Sequence, residues 1–216
     1  MLNCFFPQTN GGPGTFSVCG FIDNTVYNTC RPGGGPTQDG PASPCYHPPI
    51  QRSYYNGWKS THGIKWQTVG LPNGMMFHAW GPVSCRHNDC RTLDASDIKR
   101  QMKALQESHV DKYVFNGDSA FFADECIRSR HRGDNRSERD ILEVDSMSKC
   151  RQSIEWDYGQ IGQLWKTIIY KKGLQLRKQP VCSVVTLAFL LSNAYNCMNA
   201  NITRLWINCI KIHSTH

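Results

Sequence analysis

An α/β domain built on a mixed sheet is what this sequence predicts, and three observations carry the prediction. GIKWQTVG (63–70) and MMFHAWGPV (75–83) are rich in β-branched and aromatic residues and flank Pro72-Asn73-Gly74, the pattern of an antiparallel hairpin. DASDIKRQMKALQESH (94–109) carries Ile98, Met102 and Leu105 at helical spacing. The apolar run that follows it, Tyr113-Val114-Phe115, can therefore return parallel to an earlier strand, as strand–helix–strand units do.

Taken in order, residues 1–14 are turn-rich and read as an irregular N-terminus. FSVCGFIDNTV (16–26) has strand composition and carries Asp23-Asn24 near its end. Residues 30–49 are Gly- and Pro-rich without a core-forming pattern, an excursion over the surface or a substrate-contacting loop. The hairpin comes next, then the helix, with Ser96 or Asp94 as its N-cap. Tyr113-Val114-Phe115 is closed by Asn116-Gly117 as a buried strand meeting its turn, and Asp118 follows at once. Residues 128–149 mix charges of both signs and read as a connection. MSKCRQSIEWDYGQIGQLWKTIIY (147–170) sets Ile154, Tyr158, Ile161, Trp165 and Ile168 on one helical face, although Gly159 and Gly162 weaken it. KKGLQLRKQ (171–179) is a basic break, and VCSVVTLAFLLSNAYNCM (181–198) a buried final helix. The expected division is one domain over 15–200 with a tail at 201–216.

Composition narrows the class. The chain has 216 residues, enough for a sizeable core, and a formal charge of +7 with a pI near 8.9, which favours a polyanionic partner without requiring one. Its 11 cysteines are scattered, odd in number and include no C-x-x-C pair, which predicts reduced thiols inside a cell. The opening residues lack the basic and apolar regions of a signal peptide. The longest apolar run, 181–191, is too short to span a bilayer, so no membrane partner is expected.

Three carboxylates stand out. Asp118 follows a strand and turn, at the sheet rim where α/β proteins place their chemistry. Asp23 lies near the end of the first strand, and Glu155 on the amphipathic stretch between Ile154 and Trp156. Carboxylate oxygens suit a hard cation such as Mg²⁺, and two such ions can serve the attacking and leaving oxygens of a phosphodiester. Each acid also has an ordinary reading: an Asp beside Asn-Gly or Asn-Thr usually satisfies turn backbone, and a helix Glu usually faces water. Lys59, His62, Lys65 and Gln67 alternate near the hairpin, so several can share one strand face. Lys59, His62 and Lys65 are candidates for DNA phosphate contact, as is Arg86 beside His87, with a solvated face as the alternative. Lys166, Lys171, Lys172, Arg177 and Lys178 form a basic tract that could follow a nucleic-acid backbone or simply be solvated. Cys85, His87 and Cys90 are a rival zinc set, but no second short-spaced pair completes it.

Five blocks in order, GFIDNTV, YYNGWKSTHGIKWQTVGLPNGMMFHAW, GPVSCRHNDCRTL, NGDSAFF and CRQSIEWDYGQIG, resemble the catalytic domain of PIF/Harbinger-type DDE transposases over residues 16–175. The 36 residues between Asp118 and Glu155 are close to that family's interval. The resemblance implies an RNase H-like fold with Asp23, Asp118 and Glu155 as catalytic, metal-binding acids and Asp89 as a supporting acid. It further implies Mg²⁺ or Mn²⁺, two ions, as cofactor, DNA as substrate and the nucleus as location, to which RSRHR (128–132) adds a basic cluster. The expected activity is cleavage, and transfer, of DNA strands. The alternative is an inactive or domesticated remnant that binds DNA or a protein. Asn24 stands where relatives carry a small residue, and Val26 where some carry histidine. Relatives place a helical DNA-binding region before the first catalytic strand. Its expected substitute here is a separate Myb-like protein, with oligomerisation as a further expectation.

Overall fold

The computed structural model describes residues 16–32, 48–71, 73–108, 112–129, 151–152, 154–169, 174–176 and 178–199. The expected irregular N-terminus, most of the Gly/Pro-rich loop, the charged connection beyond Ser129, Lys171, Lys172, Arg177 and the tail lie outside the described residues.

Strand β1 (Phe16–Asn28) is central. It pairs antiparallel with β3 (Thr61–Gly70) on one side and parallel with β5 (Lys112–Gly117) on the other. Beyond β3 lies the returning hairpin strand β4 (Met76–Ser84), and beyond β5 the short parallel strand β6 (Ile127–Ser129). The two-residue β2 (Tyr55–Asn56), which follows helix α1 (Pro48–Tyr54), pairs with the start of β3. The order β4-β3-β1-β5-β6, with three antiparallel strands leading into two parallel ones, is the mixed α/β sheet expected of an RNase H-like domain.

Both faces of the sheet are covered, and the pleat of β1 and β3 sorts their side chains between two cores. Ile22 and Val69 face α2 (Asp89–Ala95) and α3 (Ile98–Ser108), where Leu93, Ile98 and Met102 meet Phe115, Phe121 and Ile127. Tyr27, Ile64 and Trp66 face the other way, against Ile161 and Ile168 and against Val185 and Phe189 of α5 (Val181–Met198). Burial on both faces explains why β3 is enclosed from Gly63 to Gly70, polar residues included.

The hairpin forms as expected, closing through Leu71, Asn73 and Gly74. The last adopts φ 75°, a left-handed value that costs glycine little. The helix expected over 94–109 is instead two. Asn88 caps α2 by accepting from the Arg91 amide, and Ser96 ends it in extended backbone. Ser96 is not an N-cap because α3 begins two residues later, at Ile98; it ends α2 instead, its hydroxyl donating towards Gln67 Oε1 and the Leu93 carbonyl. The amphipathic stretch is helical at 151–152 and through α4 (154–164), then closes in a 3₁₀ turn at Lys166–Ile168. Ile154, Ile161 and Ile168 are buried as the spacing predicts.

α5 departs from expectation. The apolar run at 181–191 belongs to an 18-residue helix, long and apolar enough by length and composition to cross a membrane. It is buried on one side only, and Leu187, Leu190, Leu191 and Met198 are exposed on the other.

Candidate active site

Strand register brings the first two acids together. β1 and β5 run parallel with Phe21 opposite Asn116 and Ile22 opposite Gly117, so the next step sets Asp23 beside Asp118. β5 ends there because the chain turns: the Phe121 amide donates to the Asp118 carbonyl (2.9 Å), and the Ser119 amide to Asp118 Oδ1. Gly117 makes the turn compact, since a Cβ there would meet the Phe121 ring at 2.9 Å and Ile22 at 3.1 Å.

Asp23 Oδ1 accepts the Asn24 amide (2.7 Å), and Oδ2 lies 4.0 Å from Arg151 Nη1. Burial pushes its carboxyl up to about 6, the Asn24 amide and Arg151 pull it down, and the negative charges of Asp89 and Asp118 raise it further. Glu155 reaches this group through the same arginine, its Oε1 being 4.0 Å from Arg151 Nη2. The structure thus joins Asp23 and Asp118 directly and Glu155 by way of Arg151. As placed, no three His, Cys, Asp or Glu side chains among the described residues enclose an ion position.

The donor set nevertheless fits a hard divalent cation. It is all carboxylate oxygen, and the partly buried Asp23 is disfavoured as an anion by its acidic neighbours, a cost that a bound cation relieves.

Asp89 lies close enough to Asp23 for its charge to raise the Asp23 carboxyl. Its Oδ1 accepts from Asn24 Nδ2 (2.7 Å) and from Lys65 Nζ (3.1 Å), and Lys65 also donates to the His87 carbonyl (2.6 Å). Asn88, not Asp89, caps α2. Asn24 links the two acids: its backbone holds Asp23 while its side chain holds Asp89.

The proposed phosphate contacts separate. Lys59 and Arg86 are exposed, and His62 is half-buried against Tyr55, with burial and Arg31 lowering its pKa. Lys65 is different: its side chain is 8% exposed and engaged by Asp89. In the rival zinc set, burial pushes the Cys85 thiol up to about 11, away from the thiolate that zinc needs, and Cys90 Sγ donates to the Ala120 carbonyl (3.0 Å).

The sequence reading missed Arg151, the link made by Asn24, and Asp157. Asp157 is 4% exposed, its Oδ1 has no hydrogen-bond partner, and burial pushes its carboxyl up to about 7. The sequence signal for Arg151 was its i,i+4 spacing to Glu155.

The family model of the DDE superfamily endonuclease matches residues 38–193. The chain belongs to the DDE superfamily of endonucleases. No curated protein and no solved structure matches it. In this DDE domain Asp89, Asp118 and Glu155 fall inside the matched span. Asp23 precedes it, and its place beside Asp118 comes from the pairing of β1 with β5.

Proposed function

We propose that this chain is a divalent-metal-dependent DNA nuclease of the transposase type, following the PIF/Harbinger pattern, with Asp23, Asp118 and Glu155 as its catalytic acids. The observation that carries the reading is that Asp23 and Asp118 directly follow Ile22 and Gly117, the last residues that pair β1 with β5, where burial and like charge leave Asp23 poorly compensated. Mg²⁺ or Mn²⁺, as two ions, would supply Lewis acidity and a more nucleophilic water. Asp23 offers a ligand from the central strand and Asp118 one from the turn that ends β5, and Glu155 closes the set from α4 when Arg151 releases it. Asp89, neutralised by Lys65, keeps Asn24 and hence Asp23 in register. Lys59, His62 and Arg86 hold DNA phosphates, and Lys171 and Lys172 are further cations for that role. The activity belongs in the nucleus, with a Myb-like protein supplying sequence recognition and α5 acting as a core helix and not as a membrane span.

One observation favours a second reading. Arg151 stands between Asp23 and Glu155 as a resident counter-charge, the arrangement of a silent site that has kept only DNA binding.

Titration calorimetry with Mn²⁺, comparing the wild type with Asp118→Asn, separates the two. Saturable binding that weakens at least tenfold in the variant, with metal-dependent nicking of a plasmid, is the expected result. A folded wild type that binds no Mn²⁺ with or without DNA sinks the nuclease reading and leaves the silent one.

A further inference from the structure

Phe122 is 80% exposed, yet it directly follows Phe121, which is 2% exposed and packed on Gly117 and Ile22. The turn that anchors Phe121 is the one that ends β5 at Asp118, so burying the first ring throws the second outward. The turn spans under about 7 Å between Asp118 and Phe121, and one more Cα step of ~3.8 Å reaches Phe122. A large apolar ring is therefore displayed at a short distance from a candidate catalytic acid, with the small exposed Ala123 next to it.

We propose that Phe122 is a stacking platform for an unpaired base next to the phosphodiester held at Asp23 and Asp118. This deepens the nuclease reading and rests on it. Three features favour a base over a protein partner. The ring is largely exposed, and the residue after it, Ala123, is small and exposed. The ring adjoins a phosphate-binding locus on a chain of charge +7. Finally, an aromatic face accepts any base, which suits a strand separated at the cleavage point. Among the described residues Trp58 (95%) is more exposed, but it sits on the β2–β3 turn, away from β5, and Trp156 (52%), which follows Glu155, is less exposed.

The test uses the full chain with Ca²⁺, a hard cation that takes carboxylate ligands, in place of Mg²⁺, with the DNA checked to be uncut. The probes are single-stranded DNA and a duplex carrying an unpaired 2-aminopurine. Phe122→Ala and Phe122→Leu are expected to weaken binding about five- to a hundredfold and to abolish the quenching of 2-aminopurine that stacking produces, while Phe122→Tyr retains both. Because the ring is exposed, all three variants should melt like the wild type. Unchanged affinity and quenching in the alanine variant overturn the proposal, as does a leucine variant that matches the wild type, since apolar contact would then suffice. A shift in sedimentation of the alanine variant without loss of DNA binding makes the ring a protein contact and overturns it too. If the wild type binds no DNA at all, the nuclease reading fails first and takes this one with it.

Discussion

Asp157 shows how one buried group sets a pH dependence. It lies against Gly70, where a Cβ would come within 3.2 Å of its Oδ2, and its carboxyl is raised to about 7 by burial. A raised carboxyl means that the folded chain holds the proton more tightly than the unfolded one. Between about pH 4 and 7 the folded state therefore binds more protons, and stability falls as pH rises through that window. Asp157→Asn removes the penalty. Urea denaturation should show the variant more stable by on the order of 2–4 kcal/mol at pH 8 and nearly unchanged at pH 4. An equal effect at both pH values would mean that the ionised carboxylate is accommodated. Asp23, raised to about 6, carries the same sign in the metal-free protein. Motif order made Asp23, Asp118 and Glu155 legible as candidates, because each sits beside a local strand, turn or helix pattern. Asn24, Arg151 and Asp157 were not legible in their roles. What defines Asn24 is a bond to Asp89, 65 residues away, and what defines Asp157 is the absence of a Cβ on a strand 87 positions earlier.

Among the elements, α5 is held by its polar residues as much as by its apolar ones. Asn193 accepts from the Met76 amide and donates to the Met76 carbonyl, both at 2.8 Å, so it reads the start of β4 as a neighbouring strand would. Asn196 donates to the Gly74 carbonyl (2.6 Å) and accepts from Gln160, and Ser192 accepts the Trp165 indole (2.8 Å). Asn193→Ala strands both Met76 groups, and the expected cost is about 1–3 kcal/mol in urea denaturation, with faster hydrogen exchange at the Met76 amide. Leu191→Ala, on the exposed side, should stay within about 0.5 kcal/mol. Should the leucine variant lose more, the outer face would be what holds α5, as in a bilayer or an assembly. Periodicity made the hairpin, β5 and the helical face of Ile154, Ile161 and Ile168 readable. It failed for β6, whose three residues are too short for a period, and for α1, which follows directly on a Gly- and Pro-rich stretch. It also failed at the break between α2 and α3, which depends on Ser96 bonding to Gln67 in a different element.

For the whole molecule, a charge of +7 predicts attraction to DNA but not where the DNA lies, and the fold sorts the cations by availability. Lys59 and Arg86 are exposed beside the start of β3, whereas Lys65, three residues after His62 in β3, is committed to Asp89. These two classes should respond differently to salt. Each phosphate contact contributes a slope of about −0.9 to the dependence of log affinity on log salt for duplex DNA. Lys59→Ala with Arg86→Ala should then reduce the slope of the non-specific binding isotherm by about two, with no change in urea stability. Lys65→Met should do the reverse, because it leaves a partly buried carboxylate unpaired. The slope should hold while stability drops by about 1–3 kcal/mol, less than for a fully buried pair since Asp89 remains 29% exposed. Fluorescence anisotropy between 50 and 200 mM salt, roughly the range in which such contacts are decisive, measures the first quantity. A Lys65→Met variant that is fully stable but loses slope would show that Lys65 leaves Asp89 for the DNA, and the internal ion pair would then be the resting state of a binding residue.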